Sequence, residues 1–139
     1  MYLLDTNVVS ELRKLPAGRA NEGFVRWAAA VPSAAMFLSV ISLHELELGV
    51  LLAERTDLAK GRVLRAWLNE TVVPAFGGRI LPVDHEVATR SATFHVPDPA
   101  PYRDAFIGAT ALVHAMTVVT RNSNDFARFA GTAVLNPWT

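Results

Sequence analysis

The feature that most constrains the fold is a short apolar run at the start of the chain, Tyr2 to Leu4, which stops abruptly at Asp5-Thr6-Asn7. Short apolar runs bounded by polar turn residues are typical of buried strands in a parallel sheet. Ligands of such sheets bind beyond the carboxyl ends of the strands, where Asp5 would stand. Asp5 and Thr6 are also good helix caps, so this run alone leaves a binding role and a capping role open.

The composition narrows the class of protein. The 139 residues suit one domain, and 51% hydrophobic with 19% charged residues indicates a globular chain. No apolar run is long enough to span a membrane, and the first strand begins too early for a signal peptide, so we expect a cytoplasmic protein. The lack of cysteine excludes disulfides and zinc–cysteine sites. Thirteen basic and thirteen acidic residues cancel, so no broad phosphate-binding surface is indicated.

Strand-like and helix-like segments alternate along the rest of the chain. Further strands are predicted at 36–39, 79–82, 117–120 and 133–135. Helices are predicted at 7–12, 20–31, 42–54, from Asp57 onward, from Asp84 to near His95, at 103–115 and at 123–129. The alternation predicts an α/β fold, a single domain over residues 1–139 with helices on both faces of a parallel sheet of about five strands.

Two of the predicted helices carry an acidic residue at the top of an apolar stripe. Glu45 shares a helix face with Leu48, and Asp104 shares one with Ile107. Because Asp5 ends a strand, the three carboxylates can converge on one rim of the sheet. Two structural alternatives stay open: Glu45 closes a capping box with the serine three residues before it, and Asp104 complements a helix dipole.

Carboxylates gathered at a partly buried rim repel one another, and their desolvation favours the neutral forms. Such a cluster needs a compensating cation. Ligation by oxygen alone selects Mg²⁺ or Mn²⁺ over zinc.

Another polar segment, Thr120-Arg121-Asn122 with Asp125, follows the fourth predicted strand. Asparagine and serine after a strand are ordinary turn and cap residues. The location, at the same edge of the sheet as Asp5, is what favours a functional role.

Together these segments resemble the PIN domain, most closely the VapC/FitB-like bacterial toxins. The segments are Leu3-Leu4-Asp5-Thr6-Asn7, Leu38-Ser39 to Glu45-Leu46, Asp104 to Ala111, Thr120-Arg121-Asn122 with Asp125-Phe126, Arg79 to Pro82, and Asn136-Pro137-Trp138. The resemblance spans essentially the whole chain. It implies a three-layer α/β/α fold and a metal-dependent ribonuclease, usually dimeric, that is paired with an antitoxin from the same operon. It also implies that Asp5, Glu45 and Asp104 form the acidic site.

The chain departs from that family at Asn122, where many members have a fourth acid. An amide keeps an oxygen but loses the charge, so we expect a second metal ion to be held more weakly. Asp125 is a candidate replacement, although its place before Phe126 favours a structural role in opening the last helix.

The resemblance implies phosphodiester hydrolysis. An ion held by Asp5 and Asp104 would polarise a phosphoryl oxygen and lower the pKa of a bound water. Glu45 would hold a second ion or act as a general base. The residues expected to contact phosphate or to order the acids are Thr6, Asn7, Thr120 and Arg121. For the two threonines a capping or turn role stays equally open, and Arg121 can instead pair with one of the acids.

An alternative function belongs to another class. The chain could act mainly as a binding subunit of a DNA-binding toxin–antitoxin complex, with little turnover of its own; the zero net charge and Asn122 favour this reading. In either case we expect operator DNA to be reached only through the antitoxin. The high apolar content also predicts a homodimer through helix residues between about Ala20 and Leu68.

Overall fold

The computed structural model describes all residues from 1 to 139 and contains one five-stranded sheet. Its strands are β1 Tyr2–Leu4, β2 Met36–Ser39, β3 Ile80–Leu81, β4 Thr117–Val119 and β5 Ala133–Leu135. They lie side by side in the order β3-β2-β1-β4-β5, and every neighbouring pair is parallel. The predicted α/β fold with a five-stranded parallel sheet is confirmed.

Helices connect the strands. They are α1 Thr6–Leu12, α2 Glu22–Ala30, α3 Val40–Thr56, α4 Leu58–Trp67, α5 Val73–Ala75, α6 His85–Thr93, α7 Tyr102–Val113 and α8 Ser123–Ala127. A π-helical turn, Leu68–Val72, joins α4 to α5, and a short 3₁₀ turn, Ser33–Ala35, precedes β2. None of the helices combines the length and the apolar character needed to cross a membrane.

Successive residues of the central strand β1 belong to two separate hydrophobic cores. Leu4 packs in a cluster with Val8 of α1 on one face of the sheet. Leu3 packs in a second cluster with Ile107 of α7 and Phe126 of α8. Side chains alternate between the faces of a strand, so the two leucines point in opposite directions. The sheet is therefore the middle of three layers.

The start of α3 differs from the prediction. Ser39, the last residue of β2, caps this helix by accepting a 3.0 Å hydrogen bond from the backbone N–H of Ile41. Ser42 lies fully buried inside the helix, where its hydroxyl donates to the carbonyl of Leu4 over 3.4 Å. The predicted capping box of Ser42 and Glu45 is therefore wrong, because the strand passes directly into the helix and Glu45 falls in its second turn.

Other helix starts match the prediction. The carboxylate of Asp57 accepts from the backbone N–H of Lys60 at 3.1 Å, and Asp84 accepts from that of Val87 at 2.9 Å. By contrast, α7 begins after Pro101 without any side-chain cap. Asp104 lies in the first turn of this helix.

Candidate active site at the carboxyl edge of the sheet

Asp5 stands where β1 ends and is the N-cap of α1. One carboxylate oxygen accepts a 2.8 Å hydrogen bond from the backbone N–H of Thr6, so the capping role is real. The other oxygen accepts from the Thr120 hydroxyl at 2.8 Å and from the Asn7 amide at 3.2 Å. Asp5 is only 6% exposed, and these three hydrogen bonds fix the orientation of its carboxylate.

Burial raises the pKa of the Asp5 carboxyl above its ordinary value. The hydrogen bonds from Thr120, Thr6 and Asn7 oppose that rise, while the charge of Glu45 adds to it. The three donors therefore serve to keep a buried carboxylate ionised.

Thr120 and Asn7 join the ends of the two central strands. The Thr120 side chain is fully buried, and its hydroxyl also accepts from the backbone N–H of Asn122 at 3.0 Å. The side-chain oxygen of Asn7 accepts from the backbone N–H of Arg121 at 3.1 Å. This network connects polar residues after both strands to the Asp5 carboxylate.

Glu45 reaches the rim from α3. Its Oε1 accepts a 2.9 Å hydrogen bond from the Thr6 hydroxyl, and its Oε2 lies 3.7 Å from the guanidinium of Arg103. Thr6 thus contacts both Asp5, through its N–H, and Glu45, through its side chain.

Arg103 was missed by the sequence reasoning, although a signal was present. It is a cation in the first turn of a helix, where the dipole disfavours positive charge. The attraction of the acidic rim offsets this cost. An unfavourable placement of this kind is a signal of a functional position.

Asp104 is half-buried and accepts no hydrogen bond and forms no ion pair, in contrast to Asp5 and Glu45. Its pKa is raised from 3.8 to about 6, first by burial and then by the charges of Asp5, Asp125 and Glu45. A helix dipole acting on a first-turn acid would lower the pKa, so complementing the dipole does not explain this residue. Four carboxylates are therefore within electrostatic reach of one another.

The two candidates for the fourth position differ in their surroundings. Asn122 is the N-cap residue of α8, yet its side chain makes no capping bond and lies exposed. Asp125 lies in the first turn of α8, as predicted, and its charge also contributes to the raised pKa of Asp104. The structure thus brings Asp125 to the acidic rim as well as into the helix start.

Arg121 does not pair with any of the acids. Its guanidinium lies over the ring of Trp138, 5.8 Å from the centroid. The backbone of this residue, rather than its charge, is what joins the network around Asp5.

The donor set fits a hard divalent cation in chemistry and in charge. The side chains at the rim offer carboxylate oxygens, and Asp104 lacks any donor that would offset its neighbours' charges. No three His, Cys, Asp or Glu side chains are already gathered into a group that could hold a metal ion. The roles of the individual acids therefore remain predictions, supported by their shared location and by the raised pKa of Asp104.

Known proteins of similar sequence cover the whole chain. The model of the PIN domain matches residues 2–132. Toxin FitB from Neisseria gonorrhoeae is 42% identical over 145 aligned positions, which cover 99% of this chain and 99% of that protein. The VapC ribonuclease Y4jK from Sinorhizobium fredii is 33% identical over 143 positions, covering 99% and 98%.

Solved structures of related proteins superpose on this chain over almost its whole length. The crystal structure of FitAcB from Neisseria gonorrhoeae superposes with a TM-score of 0.87 at 38% identity, covering 99% of each chain. A toxin–antitoxin complex from Klebsiella pneumoniae gives a TM-score of 0.66 at 27% identity, covering 99% of this chain and 98% of that one. The chain belongs to the PIN-domain family and, within it, to the group of FitB- and VapC-like proteins.

Proposed function

We propose that this chain is a Mg²⁺- or Mn²⁺-dependent endoribonuclease toxin that a cognate antitoxin neutralises. The observation that carries the proposal is Asp104, a half-buried carboxylate without a donor, whose pKa is raised by burial and by the charges of three other acids. A fold that only needed a stable rim would pair or remove such a group. The similarity to a VapC ribonuclease supports cleavage of RNA.

The acids of the rim would hold the cation. Asp5, Glu45 and Asp104 are the proposed ligands, and the bound ion supplies Lewis-acid polarisation of a phosphoryl oxygen and a more acidic water. Asn122 would add a neutral oxygen, and Asp125, whose charge acts on Asp104, would add a negative charge.

The other residues of the site prepare these acids. Thr120 and Asn7 donate to Asp5, which favours its ionised form despite burial. Thr6 fixes the orientation of Glu45 by a 2.9 Å hydrogen bond. Arg103, 52% exposed beside Glu45, is free to turn toward a phosphate of the substrate and bind it as a charged donor.

The proposed partners follow from the same charges. An antitoxin would inhibit by covering the rim and placing a basic side chain among the acids, and the Klebsiella pneumoniae relative is a toxin–antitoxin complex. Operator DNA would be reached only through the antitoxin, because this chain has zero net charge and lacks the positive charge of DNA-binding domains. We also propose a homodimer through the apolar residues exposed on α3 and α4.

The direct test is cleavage of RNA by the purified full-length chain. We expect fragments in the presence of Mg²⁺ or Mn²⁺, none in chelator, and recovery when metal is added back. Saturation with the antitoxin should abolish cleavage. Failure to cut RNA with either metal would leave the chain as a binding subunit and contradict the proposal, and cleavage in chelator would contradict the metal requirement.

Metal binding has a readout that does not depend on turnover. An ion that binds only the folded state raises the melting temperature. We expect millimolar Mg²⁺ or Mn²⁺ to raise the melting temperature of the parent and to leave that of Asp104→Asn nearly unchanged.

A further inference from the structure

A cavity of about 340 Å³ opens beside the acidic rim, between α1, α3 and α4. One wall of the cavity is the hydrogen-bonded pair of Thr6 and Glu45. Another part of the wall carries Arg13, Lys60 and the indole of Trp67. The cavity therefore includes one of the proposed catalytic acids, Glu45, together with two side chains of the opposite charge.

The two cations of this wall have no acidic partner. Neither Arg13 nor Lys60 forms an ion pair or a side-chain hydrogen bond, and both are exposed. Two neighbouring cations do have acidic partners: Lys14 pairs with Glu11 at 3.0 Å, and Arg65 pairs with glutamates of α3. The cavity therefore contains two cations whose charge is available to a ligand.

Trp67 gives the same wall a flat apolar surface. The guanidinium of Arg13 lies 5.8 Å from the centre of its ring, so charge and aromatic surface are adjacent. Aromatic rings beside cations are how proteins bind single-stranded nucleic acid, because bases stack on the ring while the cations contact the backbone.

We propose that this cavity binds the nucleotide next to the cleaved phosphate, with Arg13 and Lys60 on a backbone phosphate and Trp67 against an unpaired base. The inference rests on the proposed ribonuclease function and adds to it a binding site for the nucleotide beside the cleaved phosphate. The charges of the rim and of the cavity support this placement of the RNA strand. The acids repel phosphate, whereas the two cations attract it, so the strand is drawn across the rim toward the cavity.

The test measures binding without cleavage. A fluorescein-labelled single-stranded oligoribonucleotide of mixed sequence is titrated with full-length protein in chelator, and its anisotropy gives the affinity. The double variant Arg13→Ala with Lys60→Ala should bind about tenfold more weakly at roughly 50 mM salt. The slope of log affinity against log salt should fall by about 0.7, because the variant loses the contact with one phosphate of a single strand.

The matched control is the double variant Arg19→Ala with Arg62→Ala. It removes the same charge from exposed side chains that lie outside the cavity, and Arg62 belongs to the same helix as Lys60. The control should keep the affinity and the salt slope of the parent. A binding loss equal to that of the cavity variant would mean that only net charge matters and would overturn the proposal.

Trp67 is tested separately. Trp67→Leu should weaken RNA binding by about fivefold or more, whereas Trp67→Phe keeps a ring and should retain most of the affinity. Melting curves verify that each variant is folded. If both substitutions have the same small effect, no base stacks on this residue.

The outcomes separate this inference from the proposed function. If the parent binds RNA through Arg13 and Lys60 but cuts none with metal, the ribonuclease proposal is wrong and the proposed binding site is supported. If the parent cuts RNA while the double variant of Arg13 and Lys60 binds it as tightly as the parent, the proposed binding site is wrong and the ribonuclease proposal is supported. A parent that binds no RNA in chelator also overturns the site.

Discussion

Thr120 donates a 2.8 Å hydrogen bond to Asp5, although 115 residues separate them in the chain. The relationship follows from the pairing of β1 with β4, in which Leu4 lies opposite Val119. The two strands are parallel and end together, so the residues that follow each strand are neighbours at the sheet edge. The buried hydroxyl thus replaces part of the water that Asp5 loses on folding.

Thr120→Val tests this replacement, because valine keeps the shape and removes the donor. We expect the free energy of unfolding to fall by about 1–3 kcal/mol, as for a buried carboxylate that loses a partner. The pKa of Asp5 should rise further, so metal-dependent cleavage should also fall. Thr120→Ser keeps the hydroxyl and should retain most of the cleavage. Chemical denaturation and RNA cleavage that match the parent for Thr120→Val would show that this bond is dispensable.

The sheet and the location of the acids were predictable because they depend on local patterns. Each strand is a short apolar run, and parallel strands must end at a common edge, which places Asp5 beside Thr120. The two cores were also implicit, since Leu3 and Leu4 must face opposite sides of a strand.

The sequence did not predict features that depend on how distant parts of the chain pack together. The capping box failed because Ser39 and Ser42 are both good caps, and only the tertiary position of β2 selects the first. The ion pair of Glu47 with Arg65 of α4, 2.6 Å apart, was also beyond prediction, because no periodicity within α3 can show it. The close packing at Gly108 was likewise not predictable from local patterns. A methyl group there would lie 2.9 Å from the ring of Phe129, so the glycine admits that ring.

The raised pKa of Asp104 predicts how stability depends on pH without metal. An acid whose pKa is higher in the folded state binds protons more tightly there, so its contribution to stability is complete below pH 3.8. That contribution is lost as the pH rises through about 6. In chelator, the free energy of unfolding of the parent should therefore fall relative to that of Asp104→Asn over this interval and then level off.

Urea denaturation at a series of pH values measures this difference. Glu86→Gln removes an acid from the first turn of α6, where Glu86 is exposed and unpaired, and should follow the parent at every pH. If the difference in the free energy of unfolding between the parent and Asp104→Asn does not change with pH, the raised pKa of Asp104 is contradicted.

Two helical glycines should respond oppositely to alanine. A methyl group on Gly61 of α4 would lie 2.6 Å from the backbone of Glu54 in α3, whereas one on Gly49 would meet nothing within 4 Å. Gly61→Ala should lower the free energy of unfolding by about 1–3 kcal/mol through overpacking. Gly49→Ala should raise it by about 0.5–1 kcal/mol, because alanine is the better helix former. Equal effects in thermal or urea denaturation would contradict the close approach of α3 and α4.

The homodimer prediction concerns the turn between α3 and α4. Leu52 and Leu58 are 57% and 69% exposed there, which is unusual for large apolar side chains so close in sequence. Leu52→Glu with Leu58→Glu should shift the chain from dimer to monomer in light scattering. Val96→Glu, at a site 76% exposed in the loop before α7, should leave the dimer intact. A parent that is monomeric at every concentration would contradict the prediction.

The central claim is that Asp104 belongs to a group of carboxylates around a catalytic cation, and RNA cleavage by Asp104→Asn tests it most directly. Asparagine keeps the shape and removes the charge. We expect a rate loss of roughly a hundredfold or more with Mg²⁺ or Mn²⁺, on the scale of metal-assisted charge stabilisation, while the folded state without metal is as stable as the parent or more stable. Glu86→Gln, prepared in the same way, should cleave at the parent rate. If Asp104→Asn cleaves RNA as fast as the parent, Asp104 is only a residue of the helix start and the catalytic account is wrong.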